Sequence, residues 1–257
     1  MKIVATIEAR MSSSRLPGKV LLPVSLFDHR HQQVRDRALL ELMCERVSKS
    51  RYVQELIVAT TTKPVDDAIC QLCDDIGVSF FRGSEEDVLN RVLSAVTAAN
   101  ADLICKLTGD CPLIDPLVID RTIISHLAGD YDYTSTCLWN RTFPVGIEVE
   151  VLWTNTLKKT AEMTDDPIDR VHVTYFIYKN PHLFRLNAVT ALPSEFAPDL
   201  RVTVDTKEDY EVVKEIYKRL YDVSPDFTTK DVIDLLRQDS SIALLNRHIR
   251  QKHASEG

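Results

Sequence analysis

Two rhythms of apolar residues run along this chain. Residues 3–7, 56–60 and 103–107 are short, β-branched and almost continuously apolar, the pattern of strands covered on both faces of a parallel sheet. Between them, over 35–50, 65–76 and 86–99, apolar positions recur at helical spacing, with Ser84 expected to cap the third helix. Strands alternating with helices in this way predict βαβ units. A further helix should follow Asp115-Pro116 and run to about residue 127, with a strand over 131–136. The pattern then loosens: a half-exposed strand over 146–152, helices over 155–163 and 168–178, and an extended stretch over 183–191. Order returns with a strand over 200–205 that closes on Asp205, then helices over 207–221 and 229–237; the polar tail beyond 250 is expected to fray. The architecture expected is α/β, a three-layer α/β/α arrangement around a mostly parallel, mixed, Rossmann-like sheet. Residues 1–257 would form a single domain, with the looser stretch of roughly 134–195 as an inserted sub-lobe.

Composition narrows the function. The chain has 257 residues and a net charge of −7, which argues against broad adhesion to nucleic acid or to an anionic membrane. Lys2 and Glu8 interrupt the N-terminal apolar stretch, so no signal-peptide core is evident, and no apolar run reaches the roughly 18 residues of a membrane span. The expectation is a cytoplasmic protein with no nucleic-acid or membrane partner. Its seven glycines never form the dinucleotide or P-loop fingerprints, and the zinc-protease and nucleophile-elbow motifs are also missing. Of six cysteines only Cys70 and Cys73 make a C-x-x-C, inside a helical pattern and without a second ligand pair, so reduced core cysteines are expected.

In an open parallel sheet the ligand crevice lies beyond the carboxyl ends of the strands. After the first strand comes A-R-M-S-S-S-R-L-P-G-K, which concentrates Arg10, Arg15 and Lys19 with three serine hydroxyls and no acid. Guanidinium forks, an ammonium and loop amides can hold several phosphates without a P-loop, so a polyphosphate ligand competes with a merely solvated basic loop. After the third strand, L-T-G-D-C-P puts Asp110 in a turn at the same edge, and Asp205 ends another predicted strand. Magnesium takes one or two carboxylates and completes its shell with phosphate oxygens and water, so Asp110 and Asp205 are candidate Mg2+ ligands.

The stretch A-R-M-S-S-S-R-L-P-G-K-V-L resembles the first motif of the cytidylyltransferases that make CMP-activated sugars, such as the CMP-Kdo and CMP-sialate synthetases. It is most similar to the branch of spore-coat polysaccharide biosynthesis protein F. I-V-A-T-T-T, R-G-S-E-E-D-V-L-N-R, L-T-G-D-C-P-L-I-D, H-V-T-Y-F-I-Y and V-T-V-D-T-K-E-D-Y continue the similarity in order over most of 1–220. The resemblance implies a nucleotidyltransferase fold, CTP and a sugar-type acceptor as partners, Mg2+, and a homodimer that uses the middle lobe. It implies catalytic roles for Arg10, Lys19 and Asp110, metal binding by Asp110 and Asp205, and nucleotide contacts from Ala9, Arg10, Ser12, Ser13, Arg15, Gly18, Lys19, Thr60, Arg82, Ser84 and Thr108. Two departures stand out: a longer, His-rich insertion over 25–36, and Val171 where related chains often carry Glu.

The expected reaction is in-line attack of an acceptor oxygen on the α-phosphorus of CTP with release of pyrophosphate, catalysed by positioning and electrostatics. Acceptor groups are expected in the looser half, from Arg141, Glu148, Arg170 and His172, with Glu150 and Arg201 also nearby in sequence. The arginines suit an acidic sugar or a sugar phosphate, and equally surface ion pairs; His172 is either a proton acceptor or a structural histidine. A glycosyltransferase using Asp130-Tyr-Asp132 as a D-x-D metal motif and a nucleotide-binding protein without catalysis are the rival readings, with a zinc module behind both.

Overall fold

The apolar run Ile3–Glu8 (β1) becomes the middle of the sheet. The computed structural model describes residues 1–28 and 32–251. After β1 come a hairpin of Pro23–Asp28 (β2) and Gln33–Ala38 (β3), helix Leu39–Val47 (α1), strand Glu55–Thr61 (β4), helix Asp67–Ile76 (α2) and strand Ser79–Gly83 (β5). Helix Val88–Ala98 (α3), strand Leu103–Thr108 (β6), helix Pro116–Leu127 (α4), and strands Tyr133–Ser135 (β7) and Glu150–Trp153 (β8) follow. The remainder comprises Thr154–Met163 (α5), Pro167–Val171 (α6), Tyr175–Lys179 (α7), strand Leu186–Ala188 (β9), Lys207–Leu220 (α8), Thr229–Gln238 (α9) and Ser240–Leu244 (α10).

Seven strands form one sheet in the order β5-β4-β1-β6-β8-β7-β9, in which β8 alone runs against its neighbours. Side chains of β1 alternate between the faces. Ile3, Ala5 and Ile7 join α1, α2, α4, α8 and α9 in one core, while Val4 joins α3, α5 and α7 in the other. This is the expected three-layer α/β fold. The chain order steps outward from β1 in both directions, so the β1/β6 seam is where connections diverge and a crevice opens. Stretch 134–195 supplies β8, β9 and most of β7 to this same sheet.

Several elements differ from their sequence pattern. The helix expected over 35–50 starts only at Leu39, because 33–38 pair with 23–28 as a hairpin whose first strand buries Val24 and Leu26 and whose second strand is largely exposed, giving no apolar signal. That hairpin is the insertion noted above; its histidines, His29 and His31, lie outside the described residues, as does the tail 252–257. Asp87 rather than Ser84 caps α3, accepting from the Asn90 amide, while Ser84 accepts from the amides of Glu86 and Asp87. Edge strand β5 carried too short and mixed a pattern to be read. The strand expected over 146–152 begins at Glu150.

Two differences bear on the site. The helix expected over 168–178 is split by His172 and Val173, where Val173 is left-handed at φ +52° although β-branched and fully buried. The segment 200–205 is extended but belongs to no named strand; it makes a single bridge, Val145 with Arg201, and Val204 donates its amide to the Asp110 carbonyl. Gly146 makes that approach possible: at φ +107° a Cβ there would stand 2.5 Å from the Thr203 amide nitrogen.

Candidate active site

At the carboxyl ends of β1 and β6 a cavity of about 860 Å³ opens, at the upper end of what small-ligand sites offer. The loop after β1 is held by its own backbone: Gly18, left-handed at φ +72°, donates to the Met11 carbonyl at 2.8 Å, and the Met11 amide donates to Asp66 at 2.7 Å. This turn swings Lys19 inward. Its ammonium lies 3.2 Å from Asp110 and 2.8 Å from Asp205, so groups 91 and 186 residues away along the chain meet at one nitrogen. Arg15 and Arg201 each add a contact to Asp205 at 2.9 Å, and Arg201 is fixed in turn by Asp209. Burial works against the charge on Lys19, but Asp110 and Asp205 outweigh it and hold the ammonium above its usual pKa. Burial likewise pushes Asp110 up, and Lys19 with the Thr108 hydroxyl pulls it below the ordinary carboxylate range.

The opposite wall comes from the looser half of the chain. His172 and Thr174 line it on either side of the strained Val173, together with Tyr178, Glu148, Glu150 and Arg141. A strained backbone at a cavity wall is where functional sites store conformational energy. Arg141 pairs with Glu148 at 2.7 Å. Trp139, left-handed at φ +56° and 72% exposed, sits at the mouth.

The cytidylyltransferase family profile matches residues 4–226. The chain belongs to the cytidylyltransferase family. Spore coat polysaccharide biosynthesis protein SpsF of Bacillus subtilis is 36% identical over 94% of this chain and 96% of its own length. A 3-deoxy-manno-octulosonate cytidylyltransferase of Solibacter usitatus is 26% identical over 84% of this chain and 95% of its own. The solved structure of a cytidylyltransferase from Leptospira borgpetersenii superposes with a TM-score of 0.86 at 31% identity, covering 98% of this chain and 100% of that one. The chain is accordingly a nucleotidyltransferase.

Of the residues expected from the sequence at the site, Ala9, Arg10, Ser13, Arg15, Lys19, Thr108, Asp110, Arg141, Glu148, His172 and Asp205 line the cavity. Ser12, Gly18, Thr60, Arg82, Ser84 and Arg170 do not. Gly18 shapes the turn. Ser12 and Arg10 both reach Glu85, on the segment after β5 that also receives Lys63. Arg82 pairs with Asp67 at 2.7 Å and donates to the Thr61 and Lys63 carbonyls. Thr60 is fully buried in β4, and Arg170 is tied to Asp87 at 2.6 Å.

Asp130 and Asp132 lie outside this cavity, at the start of β7, where Arg185 binds both. All six cysteines are free and five are buried. Burial pushes the Cys73 thiol up to about 12, and among the described residues no group of three or more His, Cys, Asp or Glu could hold a metal. No helix among the described residues is long and apolar enough to cross a membrane.

Sequence reasoning placed Glu150 among the acceptor groups but missed its companions Lys106 and Glu8. Lys106, only 5% exposed in its side chain, lies 3.0 Å from Glu150 and 3.5 Å from Glu8. The signal was available: a lysine and a glutamate inside otherwise apolar strand patterns are unexpected where both faces are covered.

Proposed function

We propose that this enzyme transfers CMP from CTP to a hydroxyl of an acidic sugar destined for a surface polysaccharide, releasing pyrophosphate, with Mg2+. The observation that carries the reading is the meeting of Lys19 with Asp110 and Asp205 at the β1/β6 seam, beneath the Arg10 and Arg15 loop. Two carboxylates that share one ammonium are close enough to share a hard cation, and the donor set is all oxygen, so the residues fit magnesium. Asp110 and Asp205 would hold it; when bound, it supplies positive charge against the phosphate oxygens. Lys19, Arg10 and Arg15 bind and orient the triphosphate and offset the charge that develops on the departing pyrophosphate. The far wall, with Arg141, Glu148, His172 and Thr174, receives the acceptor, and Arg141 is the guanidinium there that a sugar carboxylate can engage. The names of the B. subtilis and S. usitatus relatives support the sugar pathway. A homodimer in the cytoplasm is the corresponding assembly, checked by light scattering.

The test is calorimetry with CTP, UTP, GTP, ATP and dTTP, with and without Mg2+, followed by a pyrophosphate-release screen of acidic sugars. Selective, magnesium-dependent CTP binding that is lost in Asp110→Asn supports the reading. Equal affinity for all five nucleotides, or an Asp110→Asn enzyme with unchanged turnover, overturns it.

A further inference from the structure

The sheet carries a charged strip that the phosphate site does not use. Thr6 pairs with Lys106 across β1 and β6, and Lys106 pairs with Glu150 across β6 and β8, so Glu8, two residues beyond Thr6, rises from the same face as both. Along the strip Glu150 is saturated: Lys106 takes one oxygen at 3.0 Å, and the hydroxyls of Tyr133, at 2.7 Å, and Thr174 take the other. Glu8 is not. Lys106 stands 3.5 Å from its buried Oε1, an ion-pair distance, and that oxygen receives no hydrogen bond among the described residues.

One buried and two largely buried charges in one strip are expensive to desolvate, and apolar side chains would pack the same space as stably. The strip therefore calls for a role in the cavity whose floor it forms. Glu8 immediately precedes Ala9 and Arg10 and neighbours Thr108 on β6, so it stands at the junction of the phosphate half and the far wall. The other carboxylates lining the cavity are already engaged: Asp110 and Asp205 by Lys19, Glu148 by Arg141 and Glu150 by three donors.

Resting on the transferase reading above, we propose that Glu8 accepts the proton of the attacking acceptor hydroxyl, with Lys106 and Glu150 as positioning residues that fix its carboxylate. As the acceptor oxygen bonds to the α-phosphorus, its proton passes to a Glu8 oxygen. The bond from the α-phosphorus to the bridging oxygen breaks, and pyrophosphate leaves with that electron pair. The electrostatics agree. Burial pushes the Glu8 carboxyl up, Lys106 on β6 and Arg91 on α3 pull it back only in part, and the charge of Glu150 on β8 adds to the rise. Glu150 is moved the other way: Lys106, Thr174 and Tyr133 outweigh its burial and keep it ionised. Two neighbouring carboxylates pushed apart in this way divide into a proton acceptor and a fixed anion.

The test compares wild type with Glu8→Gln from pH 4.5 to 9, using CTP with 3-deoxy-manno-octulosonate as acceptor and, in parallel, water as acceptor in slow CTP hydrolysis. Glu8→Gln is expected to lower kcat about 100-fold or more, leave the calorimetric CTP affinity within about twofold, and abolish the acid limb of the kcat profile; in Glu8→Ala, added formate should restore part of the rate. A Glu8→Gln kcat within a few-fold of wild type, or an acid limb that persists in it, overturns the assignment. Should Glu8→Gln fail to fold, the wild type decides, because a kcat independent of pH and of solvent deuterium also overturns it. Failure of the wild type to bind CTP, or to release pyrophosphate with either acceptor, overturns the transferase reading itself; turnover that survives in Glu8→Gln overturns only the role of Glu8.

Discussion

Two lysines in this molecule are each clamped between two carboxylates in the same cavity, and they are built in opposite ways. Lys19 meets Asp110 and Asp205 on loops, where Asp110 keeps 28% of its side chain exposed and Asp205 has two further cations, Arg15 and Arg201. Lys106 meets Glu8 and Glu150 by strand register, its side chain 5% exposed and, among the described residues, with no second cation in direct contact with either acid. The first cluster has redundant partners and access to solvent, which suits groups that must exchange one another for a ligand. The second has neither, which suits groups that must not move.

The sharpest way to break this contrast is to remove each lysine in turn. Lys106→Met leaves two buried carboxylates uncompensated and should destabilise the fold by about 3–5 kcal/mol in urea unfolding. Lys19→Met should cost about 1 kcal/mol or less, because Asp205 keeps two guanidinium partners and Asp110 has water. Equal losses would mean that the clusters are energetically alike. Affinity should reverse the order: Lys19→Met should weaken CTP binding by about 1.5–3 kcal/mol, roughly tenfold to a hundredfold, in calorimetry. An unchanged affinity would remove Lys19 from the nucleotide site.

A smaller effect sharpens the floor cluster. Thr174→Val deletes one of the donors to Glu150 and should cost about 1 kcal/mol of stability while CTP affinity stays as it was. Acid gives a further check with a definite sign. Asp110 and Glu150 have folded-state pKa values below their ordinary ones, so their stabilisation is complete above the unfolded values of about 3.9 and 4.3 and is lost as pH falls through the lowered ones. Glu8, shifted upward, acts oppositely and regains stability on the way down. Stability followed by circular dichroism should therefore fall below about pH 4, and by less in Glu150→Gln than in wild type.

Much of this was legible along the chain. Continuous apolar runs located β1, β4 and β6, and the Asp-Pro pair set the start of α4, whose N-cap is Asp115. The cationic loop and Asp110 could be placed because strand ends in parallel sheets converge. Asp205 was found for an incomplete reason: the segment before it is extended, but it is held by Val145 and the Asp110 carbonyl rather than by a sheet neighbour. What stayed hidden depends on contacts that a linear pattern does not encode. Strand β3 is exposed over most of its length and so leaves no apolar period, and the break at Val173 opposes the preference of its own side chain. The Glu8, Lys106 and Glu150 strip exists only through register, since its members are 98 and 44 positions apart.

The chain contains two tryptophans, and their placement gives the protein a built-in optical reporter. Trp153 is anchored by its indole nitrogen to the Tyr131 carbonyl at 3.0 Å, outside the cavity, so its emission should be indifferent to what the cavity holds. Trp139 stands in solvent at the mouth. A ligand that covers that indole would shift its emission to the blue, so intrinsic fluorescence would register occupancy there without a label.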